Sequence, residues 1–170
     1  MLDPRLREAL EQLRATRFAG IQGARLSVSI PIAERLLNEL VTAALPPSVP
    51  VRDLAVKPRA ANTLQLRARI AKLDFLPPVT LTFDIDQQPR LPDTPLGLRL
   101  RTFPGLTALA GPLLSQKVLP PGIRLEGDRL FVDLRQLIER AGYGDLVPLI
   151  ERLHLATEEG QLLVEVDARV

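Results

Sequence analysis

The sequence predicts an α+β fold in which a long amphipathic helix packs in a curved antiparallel sheet, with shorter helices around it. Three observations lead there. Several segments alternate apolar and polar residues with a period of two, the pattern of strands with one face buried and one face in water. One segment, Ile32 to Leu45, carries Ile32, Leu36, Leu37, Leu40, Val41 and Leu45 at helical spacing, a stripe wider than a coiled-coil seam. Hydrophobic residues make up 46% of the chain and aromatics only 4%, so the available core is aliphatic.

The elements follow in order. Asp3 to Ala15 reads as an amphipathic helix, with Leu6, Leu10 and Leu13 at helical spacing and Pro4 in the first turn. Gly20 and Gly23 break it, so residues 1–22 are read as an N-terminal helix and linker and 23–170 as a single α+β domain. Arg25 to Ile30 alternates Leu26, Val28 and Ile30 with Ser27 and Ser29, a half-buried strand that Pro31 stops. The helix Ile32–Leu45 follows. Pro46, Pro47 and Pro50 make an extended connector, and Arg52 to Pro58 is a strand with Leu54 and Val56 inward.

Thr63 to Lys72 is the cleanest strand, with Leu64, Leu66, Ala68 and Ile70 against Thr63, Gln65, Arg67 and Arg69. Val79, Leu81, Phe83 and Ile85 alternate with Thr80, Thr82, Asp84 and Asp86, and Leu96, Leu98 and Leu100 alternate with Gly97, Arg99 and Arg101. Phe103 to Ser115 reads as a short helix with frayed ends. A hairpin joins Ile123–Glu126 to Arg129–Val132 through Gly127-Asp128. Asp133 suits the N-cap of a helix Leu134–Ala141 that Gly142 closes. A helical turn over Asp145–Glu151 and the strands Leu153–Thr157 and Gln161–Val170 complete the chain. Strand, helix and hairpin recur in that order in 25–70 and in 129–170, a weak internal repeat of a common motif.

Composition removes several function classes. Lys and Arg total 22 against 20 Asp and Glu, a net charge of +2, with no basic stripe interleaved with aromatics, so no nucleic-acid partner is expected. There is no cysteine, which excludes disulfides and thiolate metal sites. No stretch is long and apolar enough to span a bilayer, and the polar start Met1 to Glu8 lacks the apolar core of a signal peptide. With Met1 as the start, the expected compartment is the cytoplasm.

The residues that could carry chemistry are few. His154 is the only histidine and falls on the polar face of a strand, so triads and multi-histidine metal sites are not available. Asp84 and Asp86 share a strand face and are the one pair of carboxylates placed for a divalent cation or for acid–base work. A solvated strand face is the simpler reading. Arg67 with Arg69, and Arg99 with Arg101, would form a four-arginine patch for phosphate if their strands were neighbours. An outer face crossed by carboxylates such as Asp84 and Asp86 is the alternative. No catalytic residue, metal or cofactor is assigned, and the protein is not expected to be an enzyme.

The run Leu26-Ser27-Val28-Ser29-Ile30-Pro31-Ile32-Ala33-Glu34-Arg35-Leu36-Leu37-Asn38-Glu39-Leu40 resembles the strand-to-helix opening of small bacterial proteins of the tubular lipid-binding superfamily, the group of the bactericidal/permeability-increasing protein. Gly127-Asp128-Arg129-Leu130-Phe131-Val132-Asp133-Leu134 looks like their later strand-to-helix step. The resemblance implies a long helix wrapped by a curved antiparallel sheet, with a groove that takes lipids.

These readings converge on a binding module for an apolar or amphipathic, lipid-like ligand, held between helix and sheet. Leu36, Leu40, Leu66, Leu81 and Leu98 are its expected wall residues. The alternative is an interaction or scaffold domain with a filled core. A membrane surface and a second copy of the chain are further partners to consider, the latter because amphipathic edge strands can pair.

Overall fold

The computed structural model describes residues 23–44, 51–70, 78–101, 119 and 121–170. The helices expected over Asp3–Ala15 and Phe103–Ser115 lie outside the described residues. Within them the elements are β1 (Arg25–Ala33), α1 (Glu34–Ala44), β2 (Val51–Arg59), β3 (Thr63–Ile70), β4 (Val79–Gln87), β5 (Leu96–Leu100), β6 (Ile123–Glu126) and β7 (Arg129–Val132). Helix α2 (Leu134–Arg140), a 3-10 segment (Gly144–Leu149), β8 (Ile150–Glu158) and β9 (Gln161–Arg169) follow.

The strands form two antiparallel sheets, one ordered β1-β9-β8 and one ordered β2-β3-β4-β5-β7-β6. The fold is therefore mostly β, and the expected long helix in a curved sheet is overturned. Helix α1 has 11 residues rather than a span from Ile32 to Leu45. Pro31, Ile32 and Ala33 continue β1 and pair with Leu163, Leu162 and Gln161. Leu36 and Leu40 are 37% and 52% exposed, so α1 is not the central element.

The physical reason lies in the alternation itself. A sheet face can be covered by a helix or by another sheet, and period two specifies neither. Here Leu81, Phe83, Leu96, Leu98 and Leu100 of the larger sheet pack against Leu153, Leu155 and Leu162 of the smaller one in a single cluster. Leu37 is the α1 residue that joins this cluster. Leu64 faces Phe83 and Leu66 faces Leu81, while Ile85 faces Leu98 and Leu98 faces Leu130, so adjacent apolar rows make one continuous apolar face from β3 to β7.

Two prolines stand inside strands, and the register explains both. The Glu34 amide donates to the Gly160 carbonyl at 2.8 Å and the Val170 amide to the Ala24 carbonyl at 3.1 Å. With the β1–β9 pairing, these bonds turn the even-numbered residues of β1 toward β9. Pro31 is odd, so its missing amide falls on the open edge. Pro58 shares the parity of Val56, whose amide and carbonyl point away from β3 to Asn38, so no ladder bond is lost there either.

Three carboxamides cap the edges of β2 and β8. Asn38 on α1 donates to the Val56 carbonyl at 2.8 Å and accepts from the Val56 amide at 2.6 Å, fastening the helix to the edge strand β2. Gln88 does the same to Leu155, donating to its carbonyl at 2.8 Å and accepting from its amide at 2.9 Å. Asn62 accepts from the Thr157 amide at 3.1 Å. A carboxamide presents a donor and an acceptor as a peptide group does, so it substitutes for a neighbouring strand. Thr157 adds a hydroxyl bond to the Arg59 carbonyl at 2.6 Å, and the Gly160 amide donates to the Pro58 carbonyl at 3.1 Å. These contacts join the β8–β9 hairpin to the β2–β3 hairpin.

Local signals hold well near the C-terminal half. Asp133 caps α2, its side chain accepting from the Gln136 amide at 3.1 Å, and Gly127 and Gly142 take positive φ. The two strand-helix-hairpin units are divided between the sheets. β1 joins the β8–β9 hairpin directly, whereas β4 and β5 separate β7 from the β2–β3 hairpin.

Candidate functional site

The apolar face of the smaller sheet grades from buried to exposed across its three strands. On β8, Leu153 and Leu155 are 8% and 6% exposed. Val164 and Val166 on β9 are half-buried. On β1, Leu26, Val28 and Ile30 are 46%, 48% and 46% exposed. Ile30 pairs with Val164 and Val164 with Leu155, and Val28 pairs with Val166 and Val166 with Leu153, so these rows are continuous. The larger sheet covers the β8 side and leaves the β1 side open.

Leu26, Val28 and Ile30 stand two residues apart on one face, about 7 Å from each to the next. Large aliphatic side chains so aligned on a surface mark contact sites more often than single exposed residues do. Leu36 and Leu40 on α1, four residues apart, form a second exposed aliphatic pair.

The opposite face of the same sheet is polar and internally paired. Asp167 accepts from the Ser27 hydroxyl and from Arg152 Nε at 2.6 Å, and those two bonds hold its carboxyl below the usual carboxylate range. His154 stands opposite Glu165 on this face.

The other candidates are engaged. Asp84 accepts from Arg101 Nε at 2.6 Å and from the Thr63 hydroxyl at 3.0 Å, and the Arg101 bond is the largest cause of its lowered pKa. Asp86 lies 3.4 Å from Arg99 Nε and 3.1 Å from Arg129 Nε. Strands β3 and β5 flank β4 and are not neighbours, so Arg67 and Arg69 are not brought beside Arg99 and Arg101. Asp84 pairs with Arg101, Asp86 with Arg99 and Arg129, and Asp53 lies 3.6 Å from Arg69 Nε, so carboxylates cross the arginine rows. Among the described residues no group of three or more His, Asp or Glu is placed to hold a metal ion.

The five expected wall residues fall in three different settings. Leu36 and Leu40 face solvent, and Leu66 is half-buried on β3. Leu81 and Leu98, 1% and 7% exposed, are packed within the core. A cleft of about 260 Å³ lies elsewhere, between Pro92 and Pro95, Gly122, Arg124 over the Phe131 ring, and Gln136. None of the five lines it.

The β1 residues Leu26, Val28 and Ile30 were expected to face inward. The signal against that was Pro31, which is tolerated in a strand at an edge and so marks β1 as bordering a sheet. Among the described residues no helix is long and apolar enough to cross a membrane. No family model matches the chain, and no curated protein and no solved structure matches it. The likeness to tubular lipid-binding proteins therefore rests on the quoted residues alone.

Proposed function

We propose that the chain is a non-catalytic binding module whose ligand is an apolar or amphipathic molecule carrying an acyl-like chain, held on the open aliphatic face of β1 and β9. The observation that carries the reading is the row Leu26, Val28 and Ile30, each close to half exposed on the border of an otherwise buried apolar face. The core beneath is filled by Leu81, Phe83, Leu98 and their neighbours, which favours a surface contact over an enclosed cavity. Paired arginines and carboxylates on the outer faces leave little cause to look for catalysis there.

Binding of 11-(dansylamino)undecanoic acid tests the reading. The expected result is saturable, blue-shifted emission that Val28→Lys weakens at least about tenfold, since a charge on the row must be desolvated for an acyl chain to lie across it. Val28 is half exposed, so Lys there leaves the fold intact. Absence of saturable binding, or equal binding by the parent and a folded Val28→Lys, rejects the proposal.

A further inference from the structure

We infer that β1 is a self-association edge, on which a second copy of this chain pairs antiparallel about a two-fold axis at Ser27. The inference stands on the strand edge and not on the ligand reading, because in-plane pairing leaves Leu26, Val28 and Ile30 pointing out of the sheet.

The contrast between edges singles out β1. The edges of β2 and β8 carry carboxamides: Asn38 on Val56, Gln88 on Leu155 and Asn62 on Thr157. β6, the remaining edge strand, is only four residues long. β1 is nine residues long, borders its sheet, and has no such cap among the described residues. Native sheets rarely leave a long edge without a charge, a proline, a bulge or a cover, and here Arg25 and Pro31 stand at the two ends of the open edge with Ser27 and Ser29 between them. Its edge-facing residues begin with Arg25, Ser27 and Ser29, and the two serines are small and neutral.

The register follows from the donors. Odd-numbered residues of β1 present their amides and carbonyls to the open side, and Pro31 ends the series of donors. Pairing Ser27 with Ser27 of the second copy sets Arg25 against Ser29 and Ser29 against Arg25. Every donor from 25 to 29 is then used, three from each copy and six across the contact, and neither proline is asked for an amide.

The charges agree with this register. Glu165 pairs with Ser29 across β9 and β1, so the three residues Glu165, Ser29 and Arg25 of the second copy lie in one row on one face. Arg25 and Glu165 are then two strand spacings apart, about 10 Å between backbones, with only a serine between them. A long guanidinium side chain reaches over it. The two-fold axis repeats the pair, and the same arrangement places Leu26 opposite Val28 in both directions, extending the apolar face. The contact is of the small class, so association is expected to depend on concentration.

Sedimentation of the full chain over a concentration series, with amide hydrogen exchange on the same samples, tests the inference. The expected result is a monomer–dimer equilibrium in which protection of the Arg25, Ser27 and Ser29 amides rises with concentration, while Val28 and Ile30, bonded to β9, are protected throughout. Ser29→Pro removes two of the six bonds and is expected to weaken association about tenfold or more, with an unchanged circular dichroism spectrum. Arg25→Glu and Glu165→Arg should each weaken it and together restore it. A monomer at every concentration overturns the inference, as does a dimer unchanged in a folded Ser29→Pro. If Ser29→Pro does not fold, exchange in the parent decides: a dimer with unprotected Arg25, Ser27 and Ser29 amides pairs elsewhere.

Discussion

Replacing Gln88 with alanine tests whether the sheets are joined by a side chain acting as a strand. Gln88 sits between β4 and β5, 67 residues from its partner Leu155, and makes two bonds of 2.8 and 2.9 Å to it. Each contributes about 0.5–1.5 kcal/mol net, so the pair contributes roughly 1–3 kcal/mol. Two features move the expectation toward the upper end. Leu155 is 6% exposed, and its amide and carbonyl are turned away from β9, so both are left without a strand partner when the carboxamide goes. A loss of about 2 kcal/mol at an m-value of about 2 kcal/mol/M moves the urea midpoint down by about 1 M. Gln88→Met fills the volume without restoring the bonds and should keep most of the loss. Denaturation followed by circular dichroism reads both. A Gln88→Ala midpoint within error of the parent, or a Gln88→Met that recovers it fully, would refute the reasoning, the second by assigning the effect to packing.

Leu81→Ala is expected to cost roughly 2–5 kcal/mol, because the side chain is 1% exposed and leaves a cavity in the core, whereas Val28→Ala, at 48% exposure, should cost about 1 kcal/mol or less; the same denaturation series measures both. The acid limb of stability should depend on Asp84. Its folded pKa is lowered, mainly by Arg101, so its contribution is complete above the unfolded carboxylate value near about 3.9 and is lost as pH falls through the folded value. Asp84→Asn should therefore be less stable than the parent at neutral pH and converge with it in strong acid, and parallel pH profiles of the two proteins would contradict this.

Much of the strand set was legible because period two is a strong signal where polar and apolar residues alternate strictly. Thr63–Ile70, Val79–Gln87 and Leu96–Leu100 are strands where the alternation placed them. The Gly127-Asp128 turn and the Asp133 cap were legible for a local reason, since each depends on residues within a few positions of itself.

What escaped was long-range. Alternation marks a face as buried without saying what covers it, and so a helix was set where a second sheet packs. The α1 stripe looked continuous because Leu36 and Leu40 were counted with Leu37, yet the helix is held at Asn38, a polar residue at the border of the stripe. A mid-helix Asn competes poorly for helix stability unless its carboxamide has another partner, and that was the available clue. Gln88 and Asn62 gave none, because their partners lie 67 and 95 residues away. The candidate site was missed for the same reason. Leu26, Val28 and Ile30 were recognised as one face of a strand, but its exposure depends on the order of strands in the sheet.

Methyl-labelled protein titrated with a spin-labelled fatty acid, 16-doxyl-stearate, tests the central claim most directly, since broadening by the nitroxide falls steeply with distance and is strongest at the nearest methyls. The open face of β1 predicts saturable broadening that is strongest at Leu26, Val28 and Ile30 and weaker at Leu81 and Leu98 in the packed core. Broadening centred on Leu81 and Leu98, or none at any ratio of fatty acid to protein, contradicts it.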